Sequence, residues 1–274
     1  MRTESKEEFD QRWRLKFEAL AGTETEPYVQ AAYGSSLGFA RRQRLIHHST
    51  HDVLELLSWG GVRAPACLDI GCNTGLFTRS LVQVGLRVFG MDYAMAQLQR
   101  ARASNPEIPF LQGDAYRLPF ADATFDCVVS LGVLPCVGDW RRALDEVVRL
   151  LKPGGVGMVE TNRAFPIAER LVRSLLYLAR RQMSPAGVAE FFRSYAAHRD
   201  KGLPADGSPL KFEVGPIVEL LTSGGAACVN VHDPVRHGLF HGYTWAVTFV
   251  AKGSGSGRNA AKVARCSQCL AAGP

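Results

Sequence analysis

The chain has 274 residues, of which 46% are apolar and 21% are charged, a balance typical of ordinary globular proteins. Its formal net charge is +6, but Lys252, Arg258, Lys262 and Arg265 supply +4 within the acid-free segment 252–274, leaving +2 for residues 1–251. A surface this close to neutral argues against nucleic acid as a partner.

The sequence carries no signal for export or membrane insertion. The first ten residues contain four acids and no apolar run, so they do not resemble a secretory signal. No segment approaches the roughly 18–20 apolar residues that a spanning helix needs. The seven cysteines are an odd number, which favours reduced thiols and a cytoplasmic location. Cys266 and Cys269 form a lone C-x-x-C pair that lacks the other two ligands of a zinc site, so no metal is expected.

The N-terminal part of the chain is predicted to be helical. Apolar residues recur at helical spacing over 4–20 and again over 39–57, and Gly60-Gly61 ends the second helix. We expect residues 1–60 to form a helical cap.

From Cys67 onward the apolar pattern changes to short runs separated by helices. The predicted strands are 67–70, 86–91, 110–113, 125–130 and 156–160, and the predicted helices are 76–84, 93–104 and 140–151. Short apolar strands that alternate with helices indicate an α/β fold with a mainly parallel sheet covered by helices.

Residues 161–211 interrupt this alternation and are expected to form an inserted helical lid. Residues 161–201 contain eight basic and three acidic side chains, beside a run of leucines in the predicted helix 167–181. Such a basic amphipathic helix suits either packing on the domain, the favoured interpretation, or peripheral membrane contact through 165–182. A helix at 213–222 and strands at 228–232 and 243–252 complete a core made of 61–160 and 212–252. Residues 253–274 are predicted to be a flexible tail.

The segment CLDIGCNTG, residues 67–75, is the main candidate for chemistry. A strand delivers Asp69, the chain turns at Gly71, and Gly75 opens the next helix. Glycine permits positive φ angles and close approach of the backbone to a ligand, and ligands in open α/β sheets lie at the carboxyl ends of the strands. A plain strand–helix connection is the alternative for this turn taken alone.

The ends of the next two strands favour a nucleoside site. Asp92 ends the second strand 23 residues after Asp69, where a carboxylate can accept both hydroxyls of a ribose. Asp114 ends the third strand and can accept a hydrogen bond from an adenine amino group. The Gly71-x-x-x-Gly75 spacing does not match the G-x-G-x-x-G of dehydrogenases or a phosphate-binding P-loop.

In combination these segments resemble the class I S-adenosylmethionine-dependent methyltransferases, in particular the small-molecule and ubiquinone-biosynthesis-type family. The matching stretches are 68–75, 88–92, 112–115 with 118–120, 125–130 and 151–155. The resemblance implies a Rossmann-like, doubly wound sheet of seven strands, mostly parallel, with the last strand antiparallel. It also implies S-adenosyl-L-methionine as the cofactor and S-adenosyl-L-homocysteine as its product.

The resemblance assigns roles residue by residue. The residues expected around the methionine part are Asp69, Gly71, Cys72, Asn73 and Gly75. Asp92 would accept the ribose hydroxyls, and Met91 and Tyr93 would flank the adenine. Asp114 and Ala115 would form hydrogen bonds with the adenine. Ser130 and Leu131 would line the pocket below the sulfonium. Asn73 stands where glycine is commoner in the family, but asparagine tolerates unusual backbone angles, so binding is expected to survive.

Further residues are candidates from the sequence itself. Tyr33, or Tyr28 in the same segment, could close over the cofactor. Arg42 or Arg41 could pair with its carboxylate, the alternative being a solvated basic helix start. His198, in the expected lid, is the favoured candidate base among the histidines, although packing or surface roles are commoner for such residues.

The predicted function is methyl transfer to the oxygen, nitrogen or carbon of a small-molecule acceptor in natural-product or metabolic chemistry. Two alternatives stay open: a lipid or quinone methyltransferase at a membrane surface, and a module that binds the cofactor without transferring methyl. The fourth strand ends in Ser130–Pro135 rather than the Asn/Asp-Pro-Pro-aromatic pattern of base-amino methylation, which disfavours a nucleic-acid acceptor.

Overall fold

A computed structural model of the chain describes residues 4–20, 64–162, 213–232 and 244–251, together with 50–57 except for 52 and 56. The strands are β1 (Ala66–Ile70), β2 (Arg87–Asp92), β3 (Phe110–Gln112), β4 (Phe125–Leu131), β5 (Leu151–Asn162), β6 (Ala226–His232) and β7 (Thr244–Ala251). The helices with defined bounds are α1 (Lys6–Leu20), α2 (Leu76–Gln83), α3 (Met95–Ser104), α4 (Trp140–Leu150) and α5 (Val214–Ser223). The described residues of 50–57 are also helical.

The seven strands form one sheet in the order β3-β2-β1-β4-β5-β7-β6. Strand β7 runs antiparallel to both of its neighbours, whereas the pairs from β3 through β5 are parallel. This confirms the predicted sheet, mainly parallel with an antiparallel last strand. The strand order reverses direction between β1 and β4, and such a switch point is where α/β folds bind ligands.

Helices cover both faces of the sheet, so its central strands are apolar on both sides. The face packed by α4 and α5 buries, among others, Leu68, Phe125, Leu144, Ile217 and Phe249. The face packed by α2 and the helical residues of 50–57 buries Val53, Cys67, Leu81, Val129 and Met158. Each large side chain buried in this way contributes about 1.5–3 kcal/mol, which makes the sheet a rigid support for its edge loops.

Strand β5 is longer than the sequence predicted at both ends. It begins at Leu151, which pairs with Phe125, and then shifts register so that Val156 pairs with Cys127. Residues Lys152–Gly155 form the bulge between these two pairs. Gly154 adopts a φ of +76°, and Pro153 has no N–H to donate to a neighbouring strand. The helix before it therefore ends at Leu150.

Several predicted features lie outside the described residues. They are most of the 1–60 cap, residues 163–211 of the lid, the tail from 253, and the site candidates Tyr33, Arg42 and His198. Among the residues that are described, no helix has both the length and the hydropathy needed to cross a membrane.

Candidate cofactor site

The glycine turn after β1 is fixed against two neighbouring segments. Gly71 has a φ of +74°, and the N–H groups of Gly71 and Cys72 donate to the carbonyl of Met91 at 2.7 and 3.0 Å. A Cβ atom on Gly71 would lie 2.2 Å from a methyl group of Val133, in the loop after β4. The turn therefore contacts the end of β2 and the loop after β4 at once, and only glycine fits between them.

Asn73 has the backbone conformation that its place in the turn requires. Its φ is +54°, in the left-handed region, and its side-chain oxygen accepts the N–H of Thr74 at 2.9 Å. Gly75, the next turn residue, has a φ of +75° and no side chain with which to cap α2. Asparagine adopts left-handed backbone angles more readily than most other non-glycine residues, so Asn73 can take the φ that the turn requires.

Asp69 supports the turn from below the surface. It is only 2% exposed, and the hydroxyl of Thr78 donates to its carboxylate at 2.6 Å, which ties β1 to α2. The sequence analysis missed Thr78, because a single threonine in a helix carries no pattern that pairs it with a particular carboxylate. Cys72 is buried beside the same turn, and this burial raises the pKa of its thiol, so the group stays protonated.

Asp92 links the glycine turn to helix α3. One carboxylate oxygen accepts the N–H of Asn73 at 2.8 Å, and the other accepts the N–H of Ala94 at 2.9 Å. Burial raises the pKa of this carboxyl, while the backbone hydrogen bonds act to lower it. The N–H of Tyr93 also bonds this carboxylate, and because a carboxylate offers about four lone pairs, acceptor capacity is left for a further donor such as a ribose hydroxyl.

The residues expected around the adenine differ in exposure. Tyr93 is 42% exposed, whereas Met91 is 1% exposed and packs in the core on the α4 and α5 side. A Cβ atom on Gly113, at the end of β3, would lie 2.5 Å from the sulfur of Met91. The ends of β2 and β3 are therefore in close contact, with Tyr93 as the accessible ring.

The loop after β3 forms a closed turn. Asp114 is exposed, its side chain accepts the N–H of Tyr116 at 2.8 Å, and its carbonyl accepts the N–H of Arg117 at 3.0 Å. Ala115, between them, is partly buried. One oxygen of Asp114 is thus free of that local bond and can face a ligand amino group.

The end of β4 borders the turn from the other side. Ser130 is 1% exposed and lies beside Ile70 of β1 in the parallel ladder. Leu131 is partly buried, and the N–H of the next residue, Gly132, donates to the carbonyl of Glu160 on β5 at 3.1 Å. The predicted floor residues therefore lie at the same sheet edge as the glycine turn.

Helix α1 brings residues to the site that the sequence analysis did not name. The guanidinium of Arg14 lies 4.5 Å from the ring centroid of Tyr93 and donates to its hydroxyl at 3.3 Å. The carboxylate of Glu18 accepts the N–H groups of Met95 and Ala96 at 2.8 and 2.9 Å, which caps α3. Their spacing of four residues places both on one face of α1, and that repeat was the only signal in the sequence.

Comparisons with known proteins identify this arrangement. Residues 68–159, which run from β1 into β5, match the family described as "Methyltransferase domain". This part of the chain is therefore similar to methyltransferase domains.

Its relatives share only part of their length with this chain. The demethylmenaquinone methyltransferase of Renibacterium salmoninarum is 36% identical over 96 residues, 35% of this chain and 40% of that protein. The 2-phytyl-1,4-naphtoquinone methyltransferase of Thermosynechococcus vestitus is 46% identical over 94 residues, 32% of this chain and 42% of that protein. The chain therefore spans about two fifths of the length of these curated relatives.

The fold extends beyond the methyltransferase domain. The magnesium protoporphyrin IX methyltransferase of Synechocystis PCC 6803, solved with bound SAH, superposes with a TM-score of 0.54 at 15% identity. That superposition covers 88% of this chain and 94% of the other. A second neighbour, from a complex between a Haloferax volcanii methyltransferase activator and a methyltransferase, has a TM-score of 0.55 at 20% identity and covers 86% of this chain and 98% of its own. At such identities the likeness concerns the fold alone.

Proposed function

We propose that this protein transfers a methyl group from S-adenosylmethionine to a small-molecule acceptor. The observation that carries the proposal is the three-way contact at the glycine turn, where Gly71 lies against Val133 and Asp92 accepts the N–H of Asn73. In this proposal residues 61–160 and 212–252 bind the cofactor, residues 1–60 cap it, and residues 161–211 cover the acceptor.

The residues present fit the proposed cofactor. Gly71 lets the turn pack directly on Val133, and the Asp92 carboxylate keeps acceptor capacity for a ribose hydroxyl. Tyr93 offers a ring that is 42% exposed and carries the Arg14 guanidinium over one face, and Asp114 is an exposed carboxylate at the next strand end. An aromatic ring, a sugar-binding carboxylate and a glycine turn are, in that order, what an adenine, a ribose and a methionine tail require.

The proposed catalysis is mainly alignment. The bound cofactor supplies a methyl group on a sulfonium, which an acceptor displaces in line. The chain's contribution is to hold the reacting atoms in line between the glycine turn and the residues Ser130 and Leu131. Such positioning can lower an activation barrier by about 7–11 kcal/mol. His198 remains the proposed base for an acceptor that must lose a proton.

We infer a quinone or similar aromatic ring as the acceptor class. The relatives with 36% and 46% identity carry names of quinone methyltransferases, which supports this choice. The second candidate, a lipid or quinone acceptor taken from a membrane surface, is favoured by the basic, leucine-rich segment 165–182. We propose a cytoplasmic location, in keeping with the free thiols of Cys67, Cys72 and Cys127.

Calorimetric titration of S-adenosylmethionine and S-adenosylhomocysteine tests the cofactor. We expect saturable binding by the full chain and at least a tenfold weaker binding by Asp92→Ala, since the ribose loses an ionised acceptor worth about 1.5–3 kcal/mol. Asp145→Ala makes the same change at an exposed carboxylate on α4 and should bind like the wild type. Absence of binding by the wild type to either ligand would overturn the proposal.

The acceptor is tested by following S-adenosylhomocysteine formation with demethylated quinones and with water-soluble phenols or amines. Turnover with the quinones supports the favoured class. Flotation with anionic liposomes, with and without residues 165–182, separates the membrane-surface alternative from a soluble acceptor. Tight cofactor binding with no turnover on any acceptor would instead favour a module that binds the cofactor without transferring methyl.

A further inference from the structure

Four polar residues of helix α1 recur every fourth position and make contacts along the carboxyl edge of the sheet. We call Lys6, Asp10, Arg14 and Glu18 the polar stripe. Lys6 pairs with Asp139 at 2.7 Å, and the others contact Tyr116, Tyr93 and the start of α3 in turn. The helix therefore crosses, from one end to the other, the loops that follow β4, β3 and β2.

Asp10 is the point where three of these segments meet. Its carboxylate oxygens accept the hydroxyl of Tyr116 at 3.0 and 2.9 Å, and one of them also accepts the N–H of Gly138 at 2.8 Å. The Tyr116 hydroxyl in turn accepts the N–H of Asp139 at 3.0 Å. One side chain of α1 thus joins the loop after β3 to the loop before α4.

Tyr116 transmits this contact to the residues proposed to read the adenine. Its N–H donates to the side chain of Asp114, and the N–H of Arg117 closes the same turn on the Asp114 carbonyl. Because the turn is closed at both ends, fixing the ring of Tyr116 also fixes the positions of Asp114 and Ala115. The contact spans 106 residues of sequence, so nothing local replaces it.

The Asp10–Tyr116 contact is partly buried. Burial raises the pKa of both the Asp10 carboxyl and the Tyr116 hydroxyl, and it outweighs the hydrogen bonds from Gly138 and Tyr116 that act to lower the pKa of Asp10. Hydrogen bonds in such an environment are stronger than in water and hold their partners more rigidly.

We propose that Asp10 and Tyr116 are positioning residues for the adenine, and that helix α1 is a working part of the cofactor site. The Asp10–Tyr116 hydrogen bond holds the loop after β3 in the geometry that adenine binding requires, and it does so without touching the cofactor. The inference rests on the proposed function, because it assigns a role within that cofactor site.

The test is a double-mutant cycle on Asp10→Asn and Tyr116→Phe, read by calorimetry with S-adenosylhomocysteine and with adenosine. Each single variant should raise Kd for S-adenosylhomocysteine about tenfold, the effect of losing one hydrogen bond to a charged group. The double variant should raise Kd by much less than the product of the two single effects, since both changes disrupt the hydrogen bond that the two side chains share. Adenosine should lose the same factor, because the methionine side of the site is unchanged.

Lys16→Met provides the control. Lys16 is exposed on the same helix, lies outside the polar stripe and contacts the ring of Trp13, so its replacement should leave both Kd values unchanged. A purely structural role predicts a lower melting temperature for Tyr116→Phe with an unaltered Kd, and that result overturns the inference. Failure of the wild type to bind S-adenosylhomocysteine at all would be a failure of the proposed function itself, and the positioning role would fall with it.

Discussion

The glycine turn and the loop after β3 border the same site, but they are held in different ways. The turn, residues 69–78, forms its hydrogen bonds within itself and with the end of β2, such as Thr78 to Asp69 and Asn73 to Asp92, and it packs on Val133 in the loop after β4. The loop after β3, residues 113–120, depends on partners that are distant in sequence, namely Asp10 on α1 and Glu146 on α4.

This difference separates ligand-binding residues from the residues that position them. In the turn the two groups coincide, so changing one residue should disturb both geometry and binding. In the loop they are separate, and geometry can be altered through side chains that never reach the ligand. The predictions below test that separation, beginning with the largest effect.

Gly71→Ala should have the largest effect. The new methyl group would lie 2.2 Å from Val133 while the backbone keeps a φ of +74°, so the turn and the loop after β4 must move apart. We expect a loss of about 2–4 kcal/mol in the free energy of unfolding and at least 100-fold weaker S-adenosylhomocysteine binding. Urea unfolding and calorimetry measure the two quantities.

Gly85→Ala is the control for backbone strain alone. Gly85 also has a positive φ, +94°, but nothing lies within 4 Å of the Cβ position. It should destabilise the fold by about 1–2 kcal/mol and leave Kd unchanged. Equal binding losses in the two alanine variants would show that the contact between Gly71 and Val133 has no part in the site.

Arg149→Met should destabilise the loop after β3 at its C-terminal end. The guanidinium donates to Glu146, to Asp122 and to the carbonyls of Leu118 and Phe120. We expect a loss of about 2 kcal/mol in the free energy of unfolding, because the two carbonyls and Glu146 lose their donor. Arg141→Met, at an exposed position on the same helix, should cost less than about 1 kcal/mol.

The effect of Arg149→Met should also depend on pH. The hydrogen bonds from Arg149 lower the pKa of the Glu146 carboxyl below its ordinary value of 4.5. A carboxyl group whose pKa is lower in the folded state stabilises the fold at pH values above its unfolded-state pKa. That stabilisation is lost as the pH falls through the folded-state pKa. The difference between wild type and variant should therefore shrink below about pH 4. A difference that stayed constant down to pH 3 would contradict the role of Glu146.

Cofactor affinity should fall as the pH is lowered, because burial raises the pKa of Asp92 above its ordinary value of 3.8. The ionised carboxylate accepts ribose hydroxyls, and protonation removes acceptor capacity, so affinity should decline up to about tenfold per pH unit below the raised pKa. Calorimetry from pH 7.5 to pH 4.5 measures this slope. Asp92→Asn should bind more weakly and show a flat profile, and a slope that persists in that variant would assign the titration to another group.

Asn73→Gly should have the smallest effect. Glycine adopts the observed φ of +54° without strain, but the side-chain bond to the Thr74 N–H is lost. The relief of backbone strain and the loss of the hydrogen bond oppose one another. The free energy of unfolding should therefore change by less than about 1 kcal/mol, and Kd should change by no more than about twofold. A large loss of binding would mean that the asparagine side chain itself contacts the cofactor.

Much of the fold could be predicted from the sequence because its signals are local. The alternation of short apolar strands with helices gave the sheet, and the bounds of α2, α3 and β4 differ from the structure by at most two residues. The start of β5 was less predictable, because the bulge at Lys152–Gly155 depends on pairing with β4. A Pro-Gly-Gly sequence indicates a break in a helix without showing that a neighbouring strand continues through it.

The sequence by itself determined the glycine turn and the carboxylates at the ends of β2 and β3, since a strand end and its turn are neighbours in the chain. Only the tertiary structure decided that Gly71 lies against Val133 and that the polar stripe of α1 crosses the strand ends. Period-four spacing showed that Lys6, Asp10, Arg14 and Glu18 share a face, but the same spacing suits a face in water. Hydrogen-bond partners more than 75 residues apart are brought together by packing, which no local pattern encodes.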